Sequence, residues 1–321
     1  MYYPYLRGRQ FELIALRELA KEGALHGVVM PIIEPVKESF NGFDLAFAEF
    51  SKIGQAAYIV VNSQVGQAGK ESAHRKIAAY IKAKNDDCSI YRPAFHYDDS
   101  LNVGRTILLY IAEFELFKCL LICKSDIDYE SAVFRELANH SSVEVVSVDD
   151  PGRSRGLVRA IKKTGKPVIR FDDLFQGQKR NSDFLPIQEN RFSEEHLYYS
   201  EEGYSGFSDY TALPSAFSEG GSTPYAVVIH LTYLNDNGEI WIRHFTSTTN
   251  DSDSNVQGKF AEAAQKAVAY CDKRKLHNTA LDELRDFYHN QHYPGLGVVK
   301  KLSIKNHILV VAGYLNGHSG S

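Results

Sequence analysis

The chain is poor in cysteine, methionine and tryptophan, lacks any long apolar run and leans to neither sign of charge. Each shortage excludes something. Four cysteines among 321 residues, Cys88, Cys119, Cys123 and Cys271, are too few and too scattered for a disulfide framework and read as reduced cytosolic thiols. Lys plus Arg number 36 against 40 for Asp plus Glu, a formal net charge of -4, so nucleic acid would need a local basic patch. The longest apolar runs, 107–112 and 119–123, fall far below the ~18 residues that cross a bilayer. The opening Met1-Tyr2-Tyr3-Pro4-Tyr5 lacks the apolar stretch of a signal peptide, and the expectation is a cytoplasmic protein with no membrane association. No nucleophile elbow, phosphate loop, His-Glu-x-x-His or Cys-x-x-Cys spacing occurs, so the hydrolase, NTPase and zinc classes those motifs define are not indicated. Cys119 and Cys123 share a strand period and read as core.

What is present alternates. An amphipathic helix over 10–22 is followed by an apolar run at 27–37 and helical periodicity over 41–53. Strands over 58–62, 89–95, 117–124, 143–148 and 167–171 then alternate with helices over 74–84, 101–116, 129–139 and 155–163. Strands with little internal alternation, separated by helices, are parallel strands covered on both faces. Five or six such units favour a (β/α) TIM-barrel-like fold, with an open doubly wound sheet as the alternative, because local pattern does not encode closure. Residues 176–224 read as a long irregular loop. Residues 225–234 and 239–245 form a hairpin around Asn235-Asp236-Asn237-Gly238. The barrel domain therefore runs over 1–245. Residues 246–321 form a polar loop and a mainly helical cover, in which 302–315 reads as helix or strand.

On such a fold, ligands gather beyond the carboxyl ends of the strands. The expected exits carry Glu34 and Lys37, then Asn62 and Gln64, then His96 after Arg92. They continue with Lys124, with Asp149, Asp150 and Arg153, and with Arg170, Asp172 and Asp173. Charges end strands at any surface, so the pattern also fits a solvated rim. Glu34, Arg92 and Arg170 stand out because each lies in or beside an apolar run, where a charge needs a partner. Glu34 with Arg92 or Arg170 makes a structural ion pair or the floor of a pocket. The catalytic candidates are Glu34, Asp150, Asp172 and Asp209; the ligand-binding candidates are Lys37, Arg92, His96, Lys124, Arg153, Arg170 and Tyr210. The aspartate pairs are a weak signal for Mg²⁺ or Mn²⁺, since only one member of each turns inward, and no metal ligand set is assigned. A basic cluster from Arg153 to Arg170 reads as a solvated helix face or as a hold on a phosphate or RNA backbone.

The opening Tyr3-Pro4-Tyr5-Leu6-Arg7-Gly8-Arg9-Gln10-Phe11-Glu12, then Pro31-Ile32-Ile33-Glu34, and later Gly206-Phe207-Ser208-Asp209-Tyr210-Thr211, resemble the beta family of prokaryotic and phage proteins over residues 1 to about 245. The resemblance implies a barrel-like α/β fold and a setting on mobile elements or near defence genes. It marks Arg7, Arg9, Glu12, Glu34, Asp209 and Tyr210 as the family's polar residues. Asn62 stands where the pattern leads one to expect an acid. Arg7 and Arg9 are expected to pair with Glu12 and Glu34 across the amino-terminal opening of the barrel. The expectation is a component of a mobile-element or anti-phage module that works with a neighbouring gene product and binds an anionic, phosphate-bearing ligand, a nucleotide or nucleic acid among them. The alternatives are a free-standing enzyme acting on phosphoesters or nucleotides, with Glu34, Asp150 and Asp172 around Arg92 and Arg170, and a purely structural partner.

Overall fold

A computed structural model describes residues 1–84, 90–114, 117–220 and 223–318. Cys88, the expected strand start at 89, the expected helix end at 115–116, and positions 221–222 and 319–321 lie outside the described residues.

The chain opens with strand β1 (Tyr5–Arg7), helix α1 (Gln10–Lys21), β2 (Ile32–Glu34), α2 (Asn41–Lys52), β3 (Ala57–Val60) and α3 (Glu71–Ala83). Then follow β4 (Tyr91–Tyr97), α4 (Val103–Phe114), β5 (Cys119–Cys123), α5 (Ala132–Asn139), β6 (Val143–Asp149), α6 (Arg155–Lys163) and β7 (Val168–Phe171). Next come β8 (Glu189–Ser193), the short α7 (Glu195–Tyr198), β9 (Gly206–Ser208) and the hairpin β10 (Val228–Leu234) and β11 (Ile240–Thr246). Three helices follow: α8 (Val256–Arg274), α9 (Thr279–His289) and α10 (Leu296–His318).

Strands β1 to β7 and then β9 form one eight-stranded parallel sheet in that order, nearly closed into a barrel. Its edges are joined where Tyr3 N donates to Phe207 O and Tyr5 N to Asp209 O, each at 2.8 Å. Alternate residues divide the strands between two cores. Tyr5, Val60, Ala94, Ile122, Ile169 and Phe171 fill the barrel, while Leu6, Ile33, Ile59, Leu121 and Val148 pack outward under the helices. Burial on both faces is why these strands read as continuous apolar runs.

One strand was not expected and one expectation is corrected. The opening is itself the first barrel strand, too short at three residues to show a period. The supposed loop at 176–224 contains β9, which completes the barrel, and β8, which pairs antiparallel with β11 to make a second sheet ordered β10-β11-β8. The hairpin turn lies where Asn-Gly places it, with Gly238 at φ +79°. Residues 302–315 belong to a helix, α10, which packs against α1 and β10. Cys119, Cys123 and Cys271 are buried free thiols, and burial pushes Cys271 up to about 11.

Candidate functional site

The carboxyl ends of the barrel strands converge on a mouth whose densest hydrogen-bond network is built on Glu34. Arg7 and Glu34, the last residues of β1 and β2, stand in register and form an ion pair. Glu34 is fully buried, and its oxygens also accept from the Tyr5 hydroxyl at 2.7 Å, Gln64 N at 2.8 Å and Ser63 Oγ at 3.3 Å. His96 Nε2 lies 2.9 Å from the Tyr5 hydroxyl and 3.8 Å from Glu34 Oε1. Burial alone would raise the Glu34 pKa; His96, Arg7, the Gln64 N–H and Tyr5 outweigh it and hold the carboxyl below its ordinary range. Burial in turn lowers His96 to about 4, so near neutrality its ring is uncharged and Arg7 is the countercharge that matters.

Beneath this network the rings of Tyr5, Phe171 and Tyr210 meet at centroid distances of 4.9 to 5.2 Å, forming an aromatic floor. Burial raises the Tyr210 hydroxyl well above 10, with Arg7 opposing and Asp149, Asp173 and Glu34 reinforcing, and the Arg7 guanidinium lies 5.6 Å from the ring centroid. Among the described residues, the barrel-facing hydroxyls of Ser147 and Ser208 are buried without a hydrogen-bond partner. Lys124 and Asp149 each lie one position past the paired Cys123 and Val148. Among the described residues, neither side chain makes a hydrogen bond or close ion pair. Burial raises the Asp149 pKa; Lys124 opposes the shift, and Asp150, Asp173 and Asp172 add to it. Over the mouth, residues 211–220 are tied down where Arg7 Nη2 donates to Ser215 O at 2.7 Å, Ser215 Oγ donates to Asp173 and Arg9 donates to Ser218 O.

The expected residues therefore separate into groups. Arg7, Glu34, His96, Lys124 and Tyr210 come together at the mouth. Arg92 does not: near the amino end of β4 it pairs with Glu144 at 2.9 Å, beside the Tyr58 hydroxyl, at the opposite end of the barrel. Arg170 points outward and is held by Asp172, Glu195 and Glu202, so the expected pairing of Glu34 with Arg92 or Arg170 is replaced by pairing with Arg7. That pair lies at the carboxyl mouth and not at the amino-terminal opening; Glu12, a buried residue in the first turn of α1, stands close by, where it accepts from the Arg7 backbone and feels the charges of Arg9 and Arg7. Asp150 sits in a left-handed turn with its side chain half-exposed near Arg153, Lys37 is exposed, and Asp172 is on the outer face. Asp209 also faces outward. It accepts from Tyr2 OH at 2.7 Å and Thr211 N at 2.7 Å and lies 3.4 Å from His307 of α10, whose other nitrogen meets Thr232 at 3.1 Å. This Thr-His-Asp series is fully buried and bolts the barrel to α10 and the hairpin.

The inward acids are thus Asp149 and Asp173, the other members of the two pairs. Strand parity could have shown this: Val145, Ser147 and Asp149 share one face, as do Ile169, Phe171 and Asp173. Among the described residues no three His, Cys, Asp or Glu side chains are grouped to hold a metal ion. No helix among them is long and apolar enough to cross a membrane. No protein-family model matches the chain, and no curated protein matches it significantly.

Proposed function

We propose that the protein binds a small phosphate-bearing ligand at the carboxyl mouth of its barrel, as a component of a mobile-element or anti-phage module that works with a neighbouring gene product. The observation that carries the binding reading is Lys124 beside Asp149. Among the described residues both lack a side-chain hydrogen bond or close ion pair, in a barrel where Glu34, Arg170 and Asp173 are satisfied by other side chains. A free ammonium offers three donors to an anionic group, Asp149 accepts from a ligand hydroxyl or amine, and the ring floor suits a planar part. The module and its partner rest on the resemblance to the beta family, and co-purification with the adjacent gene product tests them.

A thermal-shift screen with inorganic phosphate, nucleotides and divalent cations tests the binding. A ligand at 100 times its Kd adds about 2.7 kcal/mol of stability. The wild type gains this and Lys124→Met does not. One rival is favoured by a specific observation: an unpartnered carboxylate with a raised pKa is suited to accept a proton, which favours an enzyme acting on phosphoesters or nucleotides with Asp149 as its base. Turnover abolished by Asp149→Asn would select it.

A further inference from the structure

The outer wall of the barrel carries a second feature that the mouth does not explain. Helix α6 has the sequence RGLVRAIKK, without an acidic residue, and buries Leu157, Val158 and Ile161. Arg155, Arg159 and Lys163 recur at four-residue spacing on its exposed side, one ridge with a repeat of about 6 Å along the axis. Among the described residues, none of the three makes a hydrogen bond or an ion pair. Beside them, a groove of about 500 Å³ runs between α5 and α6. Arg159 and Lys163 line one wall, Arg135 and Asn139 the other, and Tyr129 lies against α6 at Gly156. Arg135 is paired with Glu130, so the lining retains an excess of positive charge in a chain whose net charge is -4.

We propose that this groove holds the phosphodiester backbone of a single-stranded nucleic acid. Unpaired cations at a regular repeat suit a regularly charged strand, and the helical repeat is close to the spacing of successive phosphates in an extended one. A folded protein partner is the poorer fit, because such interfaces centre on exposed apolar anchors, whereas Phe134 and Ala138 in this groove are buried. The Gly156 backbone lies directly under the Tyr129 hydroxyl, where a side chain on α6 would push that ring out of the wall.

Fluorescence anisotropy of a labelled oligothymidylate on the full chain tests the proposal. Three phosphate contacts predict that log K falls with log salt at a slope of about -2. Arg155→Gln/Arg159→Gln/Lys163→Gln should weaken binding roughly tenfold or more at low salt and flatten that slope. Lys179→Gln/Lys273→Gln/Lys275→Gln, which removes as many exposed charges elsewhere, should leave both unchanged. Arg159→Gln alone should reduce the slope by about 0.7, a readout that survives if the triple variant is less stable. Absence of salt-dependent binding, equal loss in both triple variants, or displacement of the oligonucleotide by polyglutamate as readily as by unlabelled strand would overturn it. The last result would assign the groove to an acidic protein.

Discussion

Arg7 and Glu34 stand opposite one another at the ends of the first two barrel strands, and the carboxylate of the pair is fully enclosed. Removing one member leaves the other without its countercharge, which costs far more than the pair contributes as a unit. Glu34→Ala should therefore destabilise the protein by about 3 kcal/mol at pH 7 in urea denaturation. The native carboxyl is held below its ordinary pKa, so its contribution is present above the unfolded value and is lost as pH falls through the native one. The gap between wild type and variant should narrow at acid pH.

Acid sensitivity has a second source in the small sheet. His230 and His244 lie opposite on β10 and β11, with Nδ1 atoms 2.7 Å apart, and His244 also meets Asn190 at 3.0 Å. Burial lowers them to about 3 and about 4. The unfolded chain takes up these protons near pH 6.5 and the folded one does not, so stability falls as pH drops from 6.5 towards 4. Each histidine contributes up to about 1.4 kcal/mol per pH unit in that window. His230→Gln/His244→Gln should flatten the slope in pH-dependent denaturation.

Glu12 works in the opposite sense. Burial lifts its pKa to about 8, although Arg9, the Arg7 backbone, Arg7 and Lys300 oppose the shift. Native Glu12 keeps its proton where the unfolded chain has lost it, so this residue removes stability as pH rises from about 4.5 to about 8. Glu12→Gln should gain on the order of 2 kcal/mol over the wild type at pH 8 and nothing at pH 4.

Asp209 separates a structural role from a functional one. Asp209→Ala leaves Tyr2 OH and the Thr211 N–H without their acceptor and should cost about 3 kcal/mol. Because the side chain faces α10 and not the mouth, ligand affinity of the folded variant should be unchanged.

The barrel was legible because buried parallel strands and amphipathic helices follow one another in strict order from residue 27 to residue 171. Its first and last strands were not. Tyr5–Arg7 and Gly206–Ser208 are three residues long, too short to show a period, and are placed by pairing with β2 and β7 and by bonds to each other across roughly two hundred positions. At the site, Glu34 declared itself as a charge inside an apolar run, as did Arg92 and Arg170. Position and parity in the strand decided where each went: Arg92 is the second residue of β4 and so lies at the amino end beside Glu144, and Arg170, between the inward Ile169 and Phe171, points outward to Glu195 and Glu202. The choice of Asp149 over Asp150 required only strand parity.

The binding role of the mouth is tested most directly by isothermal titration of the strongest stabilising anion into wild type, Lys124→Met and Arg170→Ala. A lost charge-assisted contact of about 1.5 to 3 kcal/mol predicts that Lys124→Met binds at least tenfold more weakly while Arg170→Ala keeps wild-type affinity. Equal affinity in all three, or a loss confined to Arg170→Ala, would contradict it.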